Sequence, residues 1–246
     1  MQKRLILIGL NEINFDIVRR YLDAGAASLP ALRRLIALRE VRTSSEKRYE
    51  LLEPWVQWPS VFTGMSYDEH RLFRLGDVVQ SRVPQMFEQL EAQGLRVGAI
   101  SPMNAANRLR WPAYFIPDPW TATPPDGSWW SRRLHAAISQ AVNDNAKSRI
   151  HPLNVMYLLC GLARFARPRN YLAYVRLAIG ARKSPWRKAL FLDLFLHDLH
   201  MRYLAIRRPD FSVIFLNAGA HIQHHYFLNA APLRRVAAVE IGRAHV

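Results

Sequence analysis

The chain has a single cysteine, Cys160, among 246 residues, which excludes an intrachain disulfide framework and is compatible with a reducing compartment. Long apolar runs are missing as well. The longest, NVMYLLCGLA at 154–163, stops at Arg164, short of the roughly 18 residues a membrane span needs. The N-terminal MQKRLILIGLNE has only six apolar-type residues behind its basic pair and no small-residue cleavage site, so it reads as a buried strand and not as a signal peptide. These absences point to the cytoplasm, with peripheral membrane contact the form of membrane association left open. Acid is missing from one long stretch. Between Ala146 and Leu192 there is no Asp or Glu, while Lys147, Arg149, Arg164, Arg167, Arg169, Arg176, Arg182, Lys183, Arg187 and Lys188 all fall there.

Half the residues are apolar, and seven Trp with eleven Phe argue for a packed core over disorder. The net charge of +15 is partly concentrated in the acid-free block. Such a block attracts the phosphates of a substrate, a lipid surface or a nucleic acid; the plain alternative is a solvated helix face. It carries no recognisable nucleic-acid motif and no regular aromatic interleaving, which disfavours nucleic acid as the partner.

Hydrophobic patterning predicts an α/β fold with a mainly parallel sheet. RLILIG at 4–9, LRVGAIS, AYFIPDPW and FSVIFLN at 211–217 read as strands, and REVRTSS as an edge-like strand. FDIVRRYLDAG, LPALRRLIAL and VPQMFEQLEAQG read as helices, with Gly or Pro at their ends. Residues 128–208 are predicted to be mostly helical, a basic insertion-sized stretch broken at Pro152, Pro168 and Pro185. The closing EIGRAHV resembles a sequencing-library adapter read in frame. Residues 241–246 are therefore expected to be a non-native tail, on a native part ending near Glu240 with its C-terminal portion missing.

Ligands in such folds sit beyond the carboxyl ends of strands. Three polar clusters fall there: Asn11-Glu12, the loop EPWVQWPSVFTGMSYDEH from Glu53 to His70, and NAGAHIQHHYF after the last strand. In the loop, Ser60 is read just inside a helix start, where a dipole favours anionic character. Thr63-Gly64 is read as a close approach of backbone to sheet, and Trp55 and Trp58 as core or pocket wall. His221, His224 and His225 share one face if their segment is helical, the best local metal signal. His197 and His200 in LFLHDLH read as partly buried structural histidines, and Asp198 as a solvated i, i+4 partner of Arg202.

LILIGLNE, WPSVFTGMSYDEH, LRVGAIS, FIPDPW and FSVIFLNAGAHIQHHYF together resemble the alkaline phosphatase superfamily, in its type I phosphodiesterase and nucleotide pyrophosphatase branch. The resemblance implies a three-layer α/β/α sandwich, incomplete here at its C-terminus, and one or two divalent metals, usually zinc. A hydroxyl nucleophile would attack a phosphate or related ester. Position by position the chain departs from that pattern. Asn11 stands where the family has a metal-binding Asp, with Glu12 beside it; the nucleophile position falls on Pro54, next to Glu53; and Ala220 replaces an Asp, while His224 matches a metal-binding His.

Three readings follow. Glu53 serves as metal ligand or attacking carboxylate with Glu12 and His224; or Ser60 attacks; or the site is degenerate and the protein binds an anionic ligand or partner. The expected activity is a metal-dependent hydrolase or transferase with Glu53 and Ser60 as catalytic candidates and Asn11, Glu12 and His224 as metal candidates. The expected substrate is an anionic small molecule, glycan-linked or lipid-linked.

Overall fold

The computed structural model describes residues 4–25, 28–143 and 150–226. The expected non-native tail at 241–246 and the basic residues Lys147 and Arg149 lie outside them. The chain divides into two compact units: Met1–Gly9 with Glu46–Leu216, and Leu10–Ser45 with Asn217–Val246.

The first unit is built on four strands, β1 (Leu5–Leu10, running one residue past the unit's edge), β2 (Val97–Ile100), β3 (Tyr114–Ile116) and β4 (Phe211–Leu216). Their order is β1-β4-β2-β3 in an all-parallel sheet. Ile100 pairs with Ile116 on one side of β2 and with Ile214 on the other. The four expected strand segments are thus present, but the first is not the buried strand expected: β1 is an edge strand with Leu5, Ile6 and Ile8 exposed. REVRTSS is not a strand: residues 41–45 are irregular and exposed, so no apolar face exists to hold them in a sheet.

β2 and β3 are buried throughout and β4 nearly so, as parallel strands covered on both faces should be. Side chains alternate between two cores. Val97, Ala99, Phe115, Phe211 and Val213 face one cluster, with Phe62 of α3 (Pro54–Thr63) and Phe87 of α6 (Met86–Ala92). Ile100, Tyr114, Ile116 and Ile214 face the other, with Leu134 of α7 (Trp129–Asn143), Phe165 of α8 (Pro152–Phe165), Tyr174 of α9 (Tyr171–Gly180) and Phe195, Leu199 and Tyr203 of α10 (Arg187–Arg207). Helices on both faces are compatible with a three-layer α/β/α arrangement. The 128–208 stretch forms one of these layers, so its inner faces are core; each fully buried Phe or Leu there contributes about 1.5–3 kcal/mol. Two short helices, α4 (Tyr67–His70) and α5 (Asp77–Gln80), complete the loop side of the unit.

Two buried carboxylates hold this unit's irregular parts. Asp118 accepts hydrogen bonds from the amides of Asn104, Trp120 and Thr121 and from Thr121 Oγ1, at 2.7–2.8 Å, and so ties down the crossover at 101–113. Burial pushes its carboxyl up, and those donors pull it back. Asp198 is fully buried in α10. It accepts from the Arg167 amide (2.8 Å), Asn170 Nδ2 (2.7 Å) and Tyr174 Oη (3.1 Å), and so pins the α8–α9 connection. This corrects the expected solvated pair with Arg202. Apolar Leu194, Phe195 and Leu199 on the same helix turn that face inward.

In the second unit, α1 (Phe15–Asp23) is capped by Asn14, whose side chain accepts from the Asp16 and Ile17 amides. α2 spans Pro30–Ile36 with Pro at its first position, and α11 spans Ala218–Tyr226. Among the described residues no helix is long and apolar enough to cross a membrane.

Candidate functional site

The second unit joins the segments that directly follow β1 and β4. Glu12 adopts a left-handed backbone (φ 54°) in the turn after β1. On α11, His224 Nε2 lies 2.5 Å from Glu12 Oε2. Gln223 Nε2 donates to the Glu12 carbonyl, and Asn11 Nδ2 donates to Asn217 Oδ1 at 2.8 Å. Gly219 permits this approach: a Cβ there would sit 2.2 Å from Ile13 Cδ1 and 3.4 Å from the Asn11 carbonyl. Glu12 and His224 are therefore brought together, while the Asn11 side chain is taken up by Asn217, and α11 is helical as the histidine spacing required. His221 is exposed on the same helix; the side chain of His225 lies outside the described residues.

The Glu12–His224 pair is open to solvent, with 33% and 63% of the two side chains exposed. As an ion pair alone it contributes little to stability, about 0–1 kcal/mol. Chemically it is a carboxylate holding one ring nitrogen of an imidazole, which fixes the ring and leaves Nδ1 as its basic nitrogen when Nε2 carries the proton. Among the described residues no group of three or more His, Cys, Asp and Glu gathers to hold a metal. Two such ligands meet here, with the neutral Asn11 amide adjacent in sequence.

The first unit holds the other two candidates, both on α3. That helix begins at Pro54, five residues before the expected Pro59-Ser60 start. Glu53 is its N-cap residue, and its carbonyl accepts from the Val56 and Gln57 amides; its side chain makes no capping hydrogen bond. Ser60 sits mid-helix, where the dipole's influence has faded, so the reading of it as a helix-start residue is corrected. Pro59 inside the helix cannot donate to the Trp55 carbonyl. Asn104 Nδ2 supplies that bond instead, at 2.7 Å, while Asn104 Oδ1 accepts from the Gly76 amide at 2.9 Å. Gly64 ends the helix in a left-handed conformation (φ 71°) with open space around its Cβ position, so the glycine serves a positive φ and not a close approach. Trp58 is core: its ring packs edge-on against Phe215, with centroids 5.1 Å apart, and beside Phe62.

Ser60 Oγ lies 2.9 Å from Nε2 of the buried His70. The sequence read His70 as a plain loop end, and only the seating of α4 against α3 reveals this contact. The pair has the composition of a nucleophile and its base, but the proton is on the wrong side. His70 Nδ1 accepts the Leu72 amide hydrogen at 2.9 Å, so in the neutral ring Nε2 carries the proton and donates to Ser60. Burial lowers the His70 pKa and keeps the ring neutral. The ring's only basic lone pair is thus occupied, and Ser60 has no acceptor for its own proton at His70.

The chain matches no family model, no curated protein and no solved structure. The functional reading therefore stands on the residues themselves.

Proposed function

We propose that this protein is a metal-dependent hydrolase or transferase acting on a phosphate of the phosphodiester type, or a related ester, on an alkaline phosphatase-like frame. The observation that carries this reading is the meeting of Glu12 and His224. An acid in the turn after β1 and an imidazole 212 positions later converge on one point. Their donor atoms suit zinc: a carboxylate and an imidazole are two of its usual ligands, and the Asn11 amide is a weaker third candidate. One or two divalent ions held there would polarise the ester oxygen and stabilise the leaving oxygen. Glu12 orients the His224 ring through Nε2, which leaves Nδ1 as the nitrogen that would hold a metal. The substrate class is an anionic small molecule, glycan-linked or lipid-linked. Glu53, whose carboxylate is not spent on capping α3, is the candidate for an attacking or ligating role in place of a hydroxyl.

A second reading, a degenerate relative that binds an anionic ligand without turnover, is favoured by the His70 tautomer, which leaves Ser60 without a base there. Elemental analysis of the full chain, with turnover of a p-nitrophenyl phosphodiester, separates the two. The catalytic reading expects bound divalent metal that falls in Glu12→Gln and His224→Ala, with turnover lower by 10-fold or more, an order typical of lost metal-site groups. Glu53→Ala tests that residue separately: lost turnover makes it a participant, and turnover at the wild-type level removes it. A wild-type chain that neither retains metal nor turns over substrate leaves only the binding reading.

A further inference from the structure

The outer faces of α8 and α9 are amphipathic in an unusual sense: apolar where they meet solvent, and basic around the rim. Their inner faces are spent. Leu158, Leu162 and Phe165 of α8 and Tyr174 of α9 pack into the same core as α10. On the outside of α8, Leu153, Met156 and Leu159 recur every third residue, and on α9 Leu172, Val175 and Ile179 recur at i, i+3 and i+7. Helical spacing puts each set on one stripe. These side chains are open to a degree that a water-facing stripe does not require: Leu159 is 60% exposed, Leu172 59% and Ile179 70%.

The charge that this segment itself contributes has one sign. Arg164, Arg169, Arg176, Arg182 and Lys183 are all exposed, and from Ile150 to Leu192 no acid interrupts them. A second copy of this chain docking face to face would set basic rim against basic rim, which the charge opposes. Neither helix is long and apolar enough to span a bilayer. Apolar side chains with a basic border, on helices too short to cross, are the physical description of a surface that lies in the headgroup layer of an anionic leaflet.

We infer that the outward faces of α8 and α9 form a docking surface for an anionic lipid bilayer. Leu159, Leu172 and Ile179 enter the headgroup–acyl boundary, and Arg164, Arg176, Arg182 and Lys183 meet the lipid phosphates. This surface is independent of the Glu12–His224 chemistry and needs no catalytic activity.

The test is co-sedimentation of the full chain with phosphatidylcholine vesicles, alone or mixed with phosphatidylserine. Variants are Leu159→Asp with Ile179→Asp for the apolar stripes, and Arg176→Glu with Arg182→Glu for the rim. All four positions are exposed, and circular dichroism checks that each variant folds. The expected result is sedimentation with phosphatidylserine vesicles only. Each basic residue reversed should lower it about fivefold or more, the effect of roughly one lost basic contact at the surface, and the apolar variant should abolish it. Inorganic phosphate or soluble phosphoserine should compete weakly, because neither offers an apolar phase. Equal binding to neutral vesicles, no vesicle binding, or binding untouched by both variant pairs overturns the inference. So does a light-scattering dimer that Ile179→Asp dissolves, or DNA binding that persists, in a chain that leaves vesicles in solution.

Discussion

Replacing Asp198 by Ala removes a carboxylate that is 0% exposed and leaves its donors facing one another. The Arg167 amide, Asn170 Nδ2 and Tyr174 Oη all donate to it within 3.1 Å. Hydrogen bonds to a charged acceptor contribute about 1.5–3 kcal/mol each, and a half-buried donor such as Asn170 recovers part of its loss from water, so the variant should lose about 4 kcal/mol. That is a large share of the roughly 5–15 kcal/mol that holds a domain folded. Asp198→Asn keeps one acceptor and turns an NH2 group toward a donor, for a loss of about 2 kcal/mol. The sequence-level alternative, a solvated pair with Arg202, predicts only about 0.3–0.5 kcal/mol for either change. Urea unfolding followed by tryptophan fluorescence measures the difference, provided that the denaturant slope is unchanged. A loss below about 1 kcal/mol for Asp198→Ala would refute the reasoning, since stranding the buried Tyr174 hydroxyl and two half-buried donors costs more than that. The same network fixes the α8–α9 connection, so this variant should also weaken vesicle binding while leaving metal content alone.

Burial, with the nearby His197 adding to it, pushes the His200 pKa down to about 4 from its usual 6.5. The unfolded chain therefore binds the extra proton between those values. Stability is complete above pH 6.5 and falls by about 3 kcal/mol as pH drops toward 4. His200→Gln should flatten that dependence in urea titrations, and an unchanged slope would count against it. Ser60→Ala should leave phosphodiester turnover at the wild-type level and cost about 1–2 kcal/mol, because His70 Nε2–H loses its acceptor; a turnover loss like that of His224→Ala would instead make Ser60 a participant. Asn104→Ala, which strands the Trp55 carbonyl and the Gly76 amide and puts Ala at φ 47°, should cost about 3 kcal/mol by thermal unfolding. A change within about 0.5 kcal/mol, normal for a surface site, would refute the role given to Asn104.

The strands at 97–100, 114–116 and 211–216 were legible because a doubly covered parallel strand needs an unbroken short apolar run, and few other segments have one; the run at 5–10 gave the strand but not its burial, since it lies at the sheet's edge with Leu5, Ile6 and Ile8 exposed. The contact of Glu12 with His224 was legible for a related reason, since polar residues directly after parallel strands collect at one end. What was not legible depended on partners distant in the chain. The rule that proline breaks helices moved the start of α3 to Pro59, and nothing local says that Asn104 will satisfy the orphaned carbonyl. Asp198 has the i, i+4 spacing to Arg202 that signals a surface pair, while the donors that claim it come from 24 to 31 residues away. The Ser60–His70 contact is invisible in spacing, and its direction depends on a backbone amide at Leu72.

The borrowed hydrogen bond at Trp55 bears on the order in which this protein assembles. A helix normally closes its ladder locally, each residue after the first turn adding one bond for one residue fixed. The second half of α3 instead waits for a side chain 49 positions downstream, and so for the loop beyond β2 to be laid down. Loop closure over that distance comes before the reward. The amides around Pro59 should therefore gain protection from hydrogen exchange together with those of β2 and its following loop, as one late cooperative unit rather than as an early isolated helix.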